Sequence, residues 1–301
     1  MSLLKKLWEF ILELVALLAG MLRSLIGKKQ TPDQCCVCPP ALKKPDPFLY
    51  CQYYLMSLGF PVTWDNPDIY LFYEGVLVDP HDLRASTSYT VVARIWNNST
   101  DVPVINLKVN FSYLSFGMGV HSNPIGATTT NLNVKGLPGC PAFAYMTWTT
   151  PATLGHYCIQ VLLEPPDDSN WLNNLGQRNT DVAQPQSPAV FEFSVGNHVG
   201  PRPRAVRFTT DTYAIPPLPV CGEHSAAASD SRSISKIAPP IPAGWTVSLI
   251  PDKLQLAPGE EQQVQAEITP PAGFAGSMPI NVTGWDDDGP IGGVTLTVEV
   301  P

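Results

Sequence analysis

Four cysteines near the start of the chain form the residue group best suited to metal chemistry. Cys35, Cys36 and Cys38 are followed by Cys51, and four thiolates can hold zinc or an iron–sulfur cluster. Adjacent cysteines and a Cys-x-Cys pair ligate one metal less readily than Cys-x-x-Cys does, so structural disulfides or free thiols are the alternative. We therefore predict no cofactor and keep these four residues as weak metal candidates.

Acidic residues near the end of the chain form a second candidate group. Asp286, Asp287 and Asp288 precede Gly289, and three carboxylates offer hard oxygen ligands to a cation. An Asp-Gly turn between two strands explains the same residues. The range 167–179 also offers oxygen ligands for calcium, although Asp and Asn are ordinary loop formers.

Two of the three later cysteines and the five histidines are the remaining candidates for reactive residues, and Cys221 is the third cysteine. Cys140 precedes one predicted strand and Cys158 lies in the next, so they are a disulfide candidate; a buried free thiol at Cys158 is the alternative. The histidines are isolated in sequence, at positions 81, 121, 156, 198 and 224. The sequence contains no H-E-x-x-H, G-x-S-x-G, Walker or G-x-G-x-x-G motif. We predict that the protein has no catalytic residues and is not an enzyme.

Composition limits the class of protein and its partners. The chain has 301 residues, which suits two domains, and 44% of them are hydrophobic. Its 32 prolines and 22 glycines separate short runs rich in Val, Thr, Ile and Tyr, as in an all-β protein. The net charge of −8 argues against a nucleic-acid partner, because nucleic-acid affinity depends on Lys and Arg.

An apolar helix is predicted at the N-terminus, in a segment spanning residues 1–27. Residues 3–26 are apolar around most of a helical circumference, but Glu9 and Glu13 interrupt the apolar run. A cleavable signal peptide fits poorly because of these glutamates. A membrane anchor or interfacial helix and an oligomerisation helix both remain open. Residues 28–67 follow as a connector rich in Cys and Pro.

Alternating segments predict a first β-sandwich over residues 68–196, with the seven-strand count of an immunoglobulin-like fold. The predicted strands cover residues 68–73, 89–97, 105–114, 127–134, 142–150, 156–164 and 189–195. Three sets of alternate residues should face the core: Val91, Ala93 and Ile95; Ile105, Leu107, Val109 and Phe111; and Tyr157, Ile159, Val161 and Leu163. Trp148 should also lie in the core.

This module resembles the CARDB family of cell-adhesion-related domains in bacterial and archaeal surface proteins. Three stretches carry the resemblance: Asp68-Ile69-Tyr70-Leu71, Asn97-Asn98-Ser99-Thr100, and Trp148-Thr149-Thr150-Pro151-Ala152 leading to Gly155-His156-Tyr157-Cys158-Ile159. The range 167–174 is similar to that family's acidic and asparagine-rich stretch but lacks its glutamates. The resemblance implies an immunoglobulin-like fold and no particular ligand.

A second immunoglobulin-like sandwich is predicted over residues 197–301. Within it, residues 239–300 resemble sandwich modules appended to bacterial glycosidases, through Gly244-Trp245, Ala257-Pro258-Gly259-Glu260 and Ile268-Thr269-Pro270-Pro271. The intervening range 226–236 lacks apolar periodicity and is predicted to be a surface loop.

Together these features predict a mainly β protein with two tandem sandwiches and an N-terminal hydrophobic helix. We expect a non-catalytic structural or interaction protein of the cell envelope or of a multiprotein assembly, with extracytoplasmic modules. Its partners would be another protein, or a second copy through the helix, with membrane contact. A carbohydrate-binding accessory protein is the alternative, which exposed and coplanar aromatic side chains would favour.

Overall fold

Short alternating segments between turn residues form strands throughout the described part of the chain. The computed structural model of the protein describes residues 44–115, 117–182, 190–198, 200–215 and 238–300. The predicted helix at 3–26, the Cys35, Cys36 and Cys38 group and the predicted loop at 226–236 lie outside these ranges. Within them the protein is mainly β, as predicted. No helix in these ranges has the length and hydropathy needed to cross a membrane.

The described residues form seventeen strands and one short α-helix, α1 (Gln52–Ser57), with a 3-10 helix at Trp171–Asn173. In chain order the strands are β1 (Pro47–Phe48), β2 (Ile69–Tyr73), β3 (Val76–Val78), β4 (Ser88–Asn97), β5 (Val104–Ser115), β6 (Gly117–Met118), β7 (Ser122–Leu132), β8 (Ala142–Thr149), β9 (Gly155–Glu164), β10 (Leu175–Val182), β11 (Val190–Gly196), β12 (Arg204–Asp211), β13 (Thr246–Ile250), β14 (Lys253–Leu256), β15 (Glu261–Thr269), β16 (Gly276–Asp286) and β17 (Gly289–Val300).

The first sandwich packs two sheets around one apolar core. In one sheet β4 is central: β1 and β2 pair with one of its edges, β8 pairs with the other edge, and β3 pairs with β2. The other sheet has the order β10-β9-β5-β7. The predicted core faces are confirmed with one exception, since Val91, Val109 and Trp148 are all buried. Ile105 is instead 57% exposed, because Asn106 has a φ of 56° and the register with β7 shifts there.

The second sandwich takes strands from both predicted modules. Its sheets have the orders β13-β15-β11-β6 and β14-β12-β16-β17. The strand β11, predicted as the last strand of the first module, pairs with β15, and the short β6 pairs in parallel with β11. Met118 of β6 is buried in the second core. Sequence alternation predicted β11 as a strand but could not reveal its neighbours, because pairing depends on contacts distant in sequence.

The strand β10 falls where no strand was predicted. Its side chains Gln177, Asn179 and Thr180 are buried, so it lacks the alternation of apolar residues that marks a strand in sequence. Hydrogen bonds replace apolar contacts there: Thr180 Oγ1 donates to the Tyr157 carbonyl (3.2 Å), and the Asn179 N–H donates to the Trp64 carbonyl (3.0 Å).

The segment 44–67, assigned above to a connector, is packed against both sandwiches. Its strand β1 pairs with the end of β4, and Trp64 is fully buried. The Trp64 N–H donates to Thr295 Oγ1 of β17 at 3.0 Å, while the Trp64 carbonyl accepts from Asn179 of β10. The indole lies so close to Gly293 that a methyl group there would overlap it. Its aromatic residues therefore make this segment part of the folded structure.

Candidate interaction surface

The strand β8 presents an uncharged edge with exposed aromatic side chains. Among the described strands it pairs only with β4, and its sequence AFAYMTWT has no charged residue or proline. Phe143 is 51% exposed and Tyr145 is 66% exposed. Proteins usually protect such an edge with charges, proline or a bulge, because its free N–H and C=O groups can pair with another chain. We refer to Phe143, Tyr145, Thr147 and the main chain of β8 as the β8 surface.

Strand alternation explains why these rings point outwards. Ala142, Ala144 and Trp148 face the core of the first sandwich and are buried, so the residues between them face away from it. On the inward side β7 lies next to β8, since a methyl group on Gly126 would be 3.0 Å from the Met146 sulfur. Among the described residues the facing sheet thus covers the inner side of β8, whereas Phe143 and Tyr145 on its outer side are exposed.

Next to these rings lies Arg94, whose side chain is held in place by its neighbours. Arg94, opposite Phe143 in the register of β4 and β8, donates from Nε to Asp68 Oδ1 at 2.7 Å. Its guanidinium lies 5.4 Å from the Tyr70 ring centroid and 5.3 Å from that of Trp96, within cation–π range. The Trp96 indole N–H also donates to Asp68 Oδ1, at 3.2 Å. The Arg94 side chain is therefore held in place, and its charge is neutralised by Asp68. This favours an apolar or main-chain partner over an ionic one.

Titratable side chains converge at a different place, around His81. Its Nδ1 lies 2.7 Å from Asp181 Oδ2 and its Nε2 lies 3.1 Å from Asp65 Oδ1; the other Asp181 oxygen contacts His156 Nδ1. Burial alone would lower the pKa of His81, but the hydrogen bonds to both aspartates outweigh it and raise that pKa to about 10. Burial would raise the pKa of Asp181, yet hydrogen bonds from both histidines lower it to about 2.

This His81 cluster is suited to holding the fold together. With both ring nitrogens donating to carboxylates, the protonated His81 has no lone pair with which to act as a base. The cluster fastens the loop after β3 onto the end of β10, where Leu83 N–H also donates to the Asp181 carbonyl at 2.9 Å. Sequence analysis missed it because its members are separated in the chain and match no motif.

The predicted acidic group forms a turn between β16 and β17. Asp286 Oδ1 accepts from the N–H groups of Asp288 (2.9 Å) and Gly289 (3.0 Å). Its Oδ2 pairs with Arg204 Nε at 2.7 Å. Both Asp286 oxygens are thus engaged, as the Asp-Gly turn alternative requires. Within the ranges that the structure describes, no group of three or more His, Cys, Asp or Glu side chains is arranged to hold a metal.

The described cysteines are free thiols. Cys51 caps α1, where its sulfur accepts from the Tyr54 N–H (3.5 Å) and donates to the Leu172 carbonyl (3.3 Å). Burial raises its pKa and raises that of Cys158 to about 12. The structure contains no Cys140–Cys158 disulfide: Cys140 lies beside Asn97, whose N–H it accepts at 3.4 Å, whereas Cys158 belongs to β9 in the opposite sheet. The buried thiol alternative therefore describes Cys158.

The 167–174 loop pairs its two aspartates internally and exposes a tryptophan. Asp167 pairs with Lys44 Nζ at 2.9 Å, and Asp168 accepts from the Asn170 N–H (2.9 Å) and Asn174 Nδ2 (2.6 Å). Both aspartates considered as calcium ligands thus have partners within the protein, whereas the buried Oδ1 atoms of Asn173, Asn174 and Asn179 have none among the described residues. Trp171, at the start of the 3-10 helix, is 76% exposed.

Comparisons with known proteins do not assign the chain to a family. No protein-family model matches it, and no curated protein matches it. Solved structures that it resembles include an adhesin of Yersinia pseudotuberculosis, at 10% identity and a TM-score of 0.21 over 73% of this chain, and a variant of Salmonella alpha-2-macroglobulin, at 12% identity and a TM-score of 0.23 over 79% of it. The chain spans 56% of the adhesin's length and 16% of the macroglobulin's. These likenesses carry no functional argument, and the class supported by the structure is a mainly β protein of two sandwiches.

Proposed function

We propose that the protein is a non-catalytic interaction protein that binds another protein through the β8 surface. The observation that carries this proposal is an eight-residue edge strand without charge or proline, with Phe143 and Tyr145 more than half exposed. Exposed aromatic residues in a rigid setting are typical hot spots of protein interfaces. The proposed mode is strand addition, in which the partner's main chain pairs with β8 and its side chains pack on the two rings.

The rest of the chain would hold this surface in place. In this proposal the sandwiches are immunoglobulin-like modules of the CARDB kind, outside the cytoplasm and in the cell envelope or a multiprotein assembly. The N-terminal helix would anchor or assemble the chain. Its Leu, Ile and Phe content and its Trp8 support this role.

Carbohydrate binding has less support as a second function. Coplanar exposed aromatic rings would favour it, but Trp148 and Trp245 are buried in the two cores. Trp171 is 76% exposed and is the tryptophan that supports this alternative. Trp96 is half-buried beside Arg94. Phe143 and Tyr145 could also contact a sugar, but they lie on β8, whose uncharged main-chain edge favours pairing with a strand of a partner.

Photocrosslinking in cells of the source organism tests the proposal. A photoreactive phenylalanine analogue replaces Tyr145 or, as a matched control, Ile105, which is similarly exposed at 57% on the opposite sheet. We expect one crosslinked protein from position 145 and none from position 105.

Affinity measurements with that purified partner then test the mode of binding. Tyr145→Lys places a charge on the edge and should raise Kd at least about tenfold, whereas Ile105→Lys should leave it unchanged. Equal crosslinking from both positions, or equal Kd values for the two lysine variants, would overturn the proposal.

A further inference from the structure

A cavity of about 390 Å³ lies between the 44–67 segment and one face of the second sandwich. On that face the strands β12 and β16 pair with Thr209 opposite Thr283 and with Asp211 opposite Asn281. These four side chains point to the same side of the sheet, because alternate residues of a strand share a face and paired residues lie opposite each other. The sheet therefore gives the cavity a polar wall.

Most of the remaining lining is apolar. It comes chiefly from Met56, Phe60, Pro61, Val62, Pro240 and Trp285. Among the described residues that line the cavity, Asp211 is the only charged one. Binding sites for small ligands typically combine apolar walls with a few polar groups that fix the ligand's orientation. This cavity is suited to a ligand with an apolar part and one charged end.

The Asp211 carboxylate is fixed by one of its oxygens. Its Oδ1 accepts from Asn281 Nδ2 and from the Tyr213 N–H, both at 2.8 Å. In the described part of the chain, no group donates to Oδ2 and no cation pairs with it; Arg207 lies over the Trp285 ring instead. Burial raises the pKa of Asp211, because a carboxylate loses hydration in such a place. A cationic ligand would stabilise the ionised form.

A buried hydroxyl beside Asp211 provides independent evidence for a polar ligand atom. Thr283 is only 4% exposed, lines the cavity, and has no hydrogen-bond partner among the described residues. Buried hydroxyls in proteins are normally hydrogen-bonded. Its neighbour across the strands, Thr209, accepts from the Trp285 indole N–H at 2.8 Å, which holds that ring at the end of the polar wall. The Thr283 hydroxyl and Asp211 Oδ2 are therefore two acceptors on one wall of the cavity.

We propose that this cavity binds a primary alkylammonium group, as found in a lysine side chain or a free alkylamine. The ammonium donates to Asp211 Oδ2 and to the Thr283 hydroxyl, and the first of these is a charge-assisted hydrogen bond. The alkyl stem packs against Phe60 and Pro61, and aromatic rings such as Trp285 attract cations. The β8 surface belongs to the first sandwich and is not involved, so the two proposals can fail separately.

Titration of the full-length protein with n-pentylamine and n-pentanol tests the need for an ammonium group, because the two probes share one stem. The ¹⁵N-labelled indole N–H of Trp285, assigned with Trp285→Phe, reports binding by NMR. We expect a saturable shift with n-pentylamine and a Kd at least about tenfold higher for n-pentanol.

Two variants and a matched control test the acceptors. Asp211→Asn should raise the Kd of n-pentylamine at least about tenfold and leave that of n-pentanol unchanged. Thr283→Val removes the hydroxyl with little change of volume and should raise the Kd of n-pentylamine about threefold or more. Asp287→Asn removes an equal charge from an exposed turn of the same sandwich and should change neither value.

The absence of a saturable shift with n-pentylamine, or equal Kd values for the amine and the alcohol, would overturn the inference. Equal effects of Asp211→Asn and Asp287→Asn would overturn it too, because the amine would then respond only to the net charge of −8. Nα-acetyl-lysine N-methylamide, used as a third probe, distinguishes the sources. Its binding supports a lysine side chain as the ligand, whereas binding of n-pentylamine alone supports a free alkylamine. Crosslinking at Tyr145 tests the proposed function independently of all these results.

Discussion

The contact between Trp64 and Gly293 makes a specific prediction about stability. Trp64 is fully buried and bonded to both sandwiches, and a methyl group on Gly293 would overlap its indole. Trp64→Ala removes a large buried ring and should lower the free energy of unfolding by about 3 to 5 kcal/mol. Gly293→Ala overpacks the same place and should cost about 1 to 3 kcal/mol.

A double-mutant cycle isolates this contact. Trp64→Phe makes room beside β17, so Gly293→Ala should cost under about 1 kcal/mol in that background. Gly126→Ala is the matched control, because its methyl group would meet the flexible end of Met146. Urea unfolding followed by circular dichroism gives each value. Equal costs of Gly293→Ala with Trp64 and with Phe at that position would refute the packing described here.

Three further predictions concern the His81 cluster, the segment after Lys44 and the cysteines. His81 has its folded pKa raised from 6.5 to about 10, so its stabilising effect should be complete below about pH 6.5 and be lost as the pH rises through about 10. Relative to His81→Gln, the protein should lose on the order of 3 kcal/mol of stability between pH 6 and 10; parallel pH profiles would contradict this. Brief chymotrypsin digestion should leave Phe48, Tyr53 and Trp64 uncut, because the segment is packed; early cleavage there would show that it is loose. Alkylation with iodoacetamide at pH 8 should leave Cys51 and Cys158 unmodified in the folded protein, since burial raises the pKa of both thiols; rapid modification of either, detected by mass spectrometry, would argue against their burial.

Local sequence patterns predicted most strands but not their partners. Alternation identified the core positions of β4 and β9, such as Ile95 and Ile159, because one face of each strand is apolar. It missed β10, whose buried face is polar, and it could not show that β11 pairs with β15. The segment containing Trp64 was predicted to be a connector because it is rich in proline and cysteine. Its aromatic residues, which are packed against the sandwiches, were given too little weight.

Part of the β8 surface could be predicted from the sequence. The run AFAYMTWT was predicted to lie in a strand, and its lack of charge is typical of a strand whose edges are paired with other strands. Whether both edges of β8 are paired within its own sheet depends on topology, and among the described strands β8 pairs only with β4. The His81 cluster had no such signal, since His81 and Asp181 are a hundred residues apart.

Hydrogen–deuterium exchange of β8 amides, with and without the partner identified at Tyr145, tests the central proposal most directly. Strand addition should slow exchange at alternate amides between Ala142 and Thr149, because only those N–H groups point away from β4. The corresponding amides of β7 should exchange at the same rate in the free and bound states. Unchanged exchange along β8, with protection appearing elsewhere on the protein, would contradict binding at this edge.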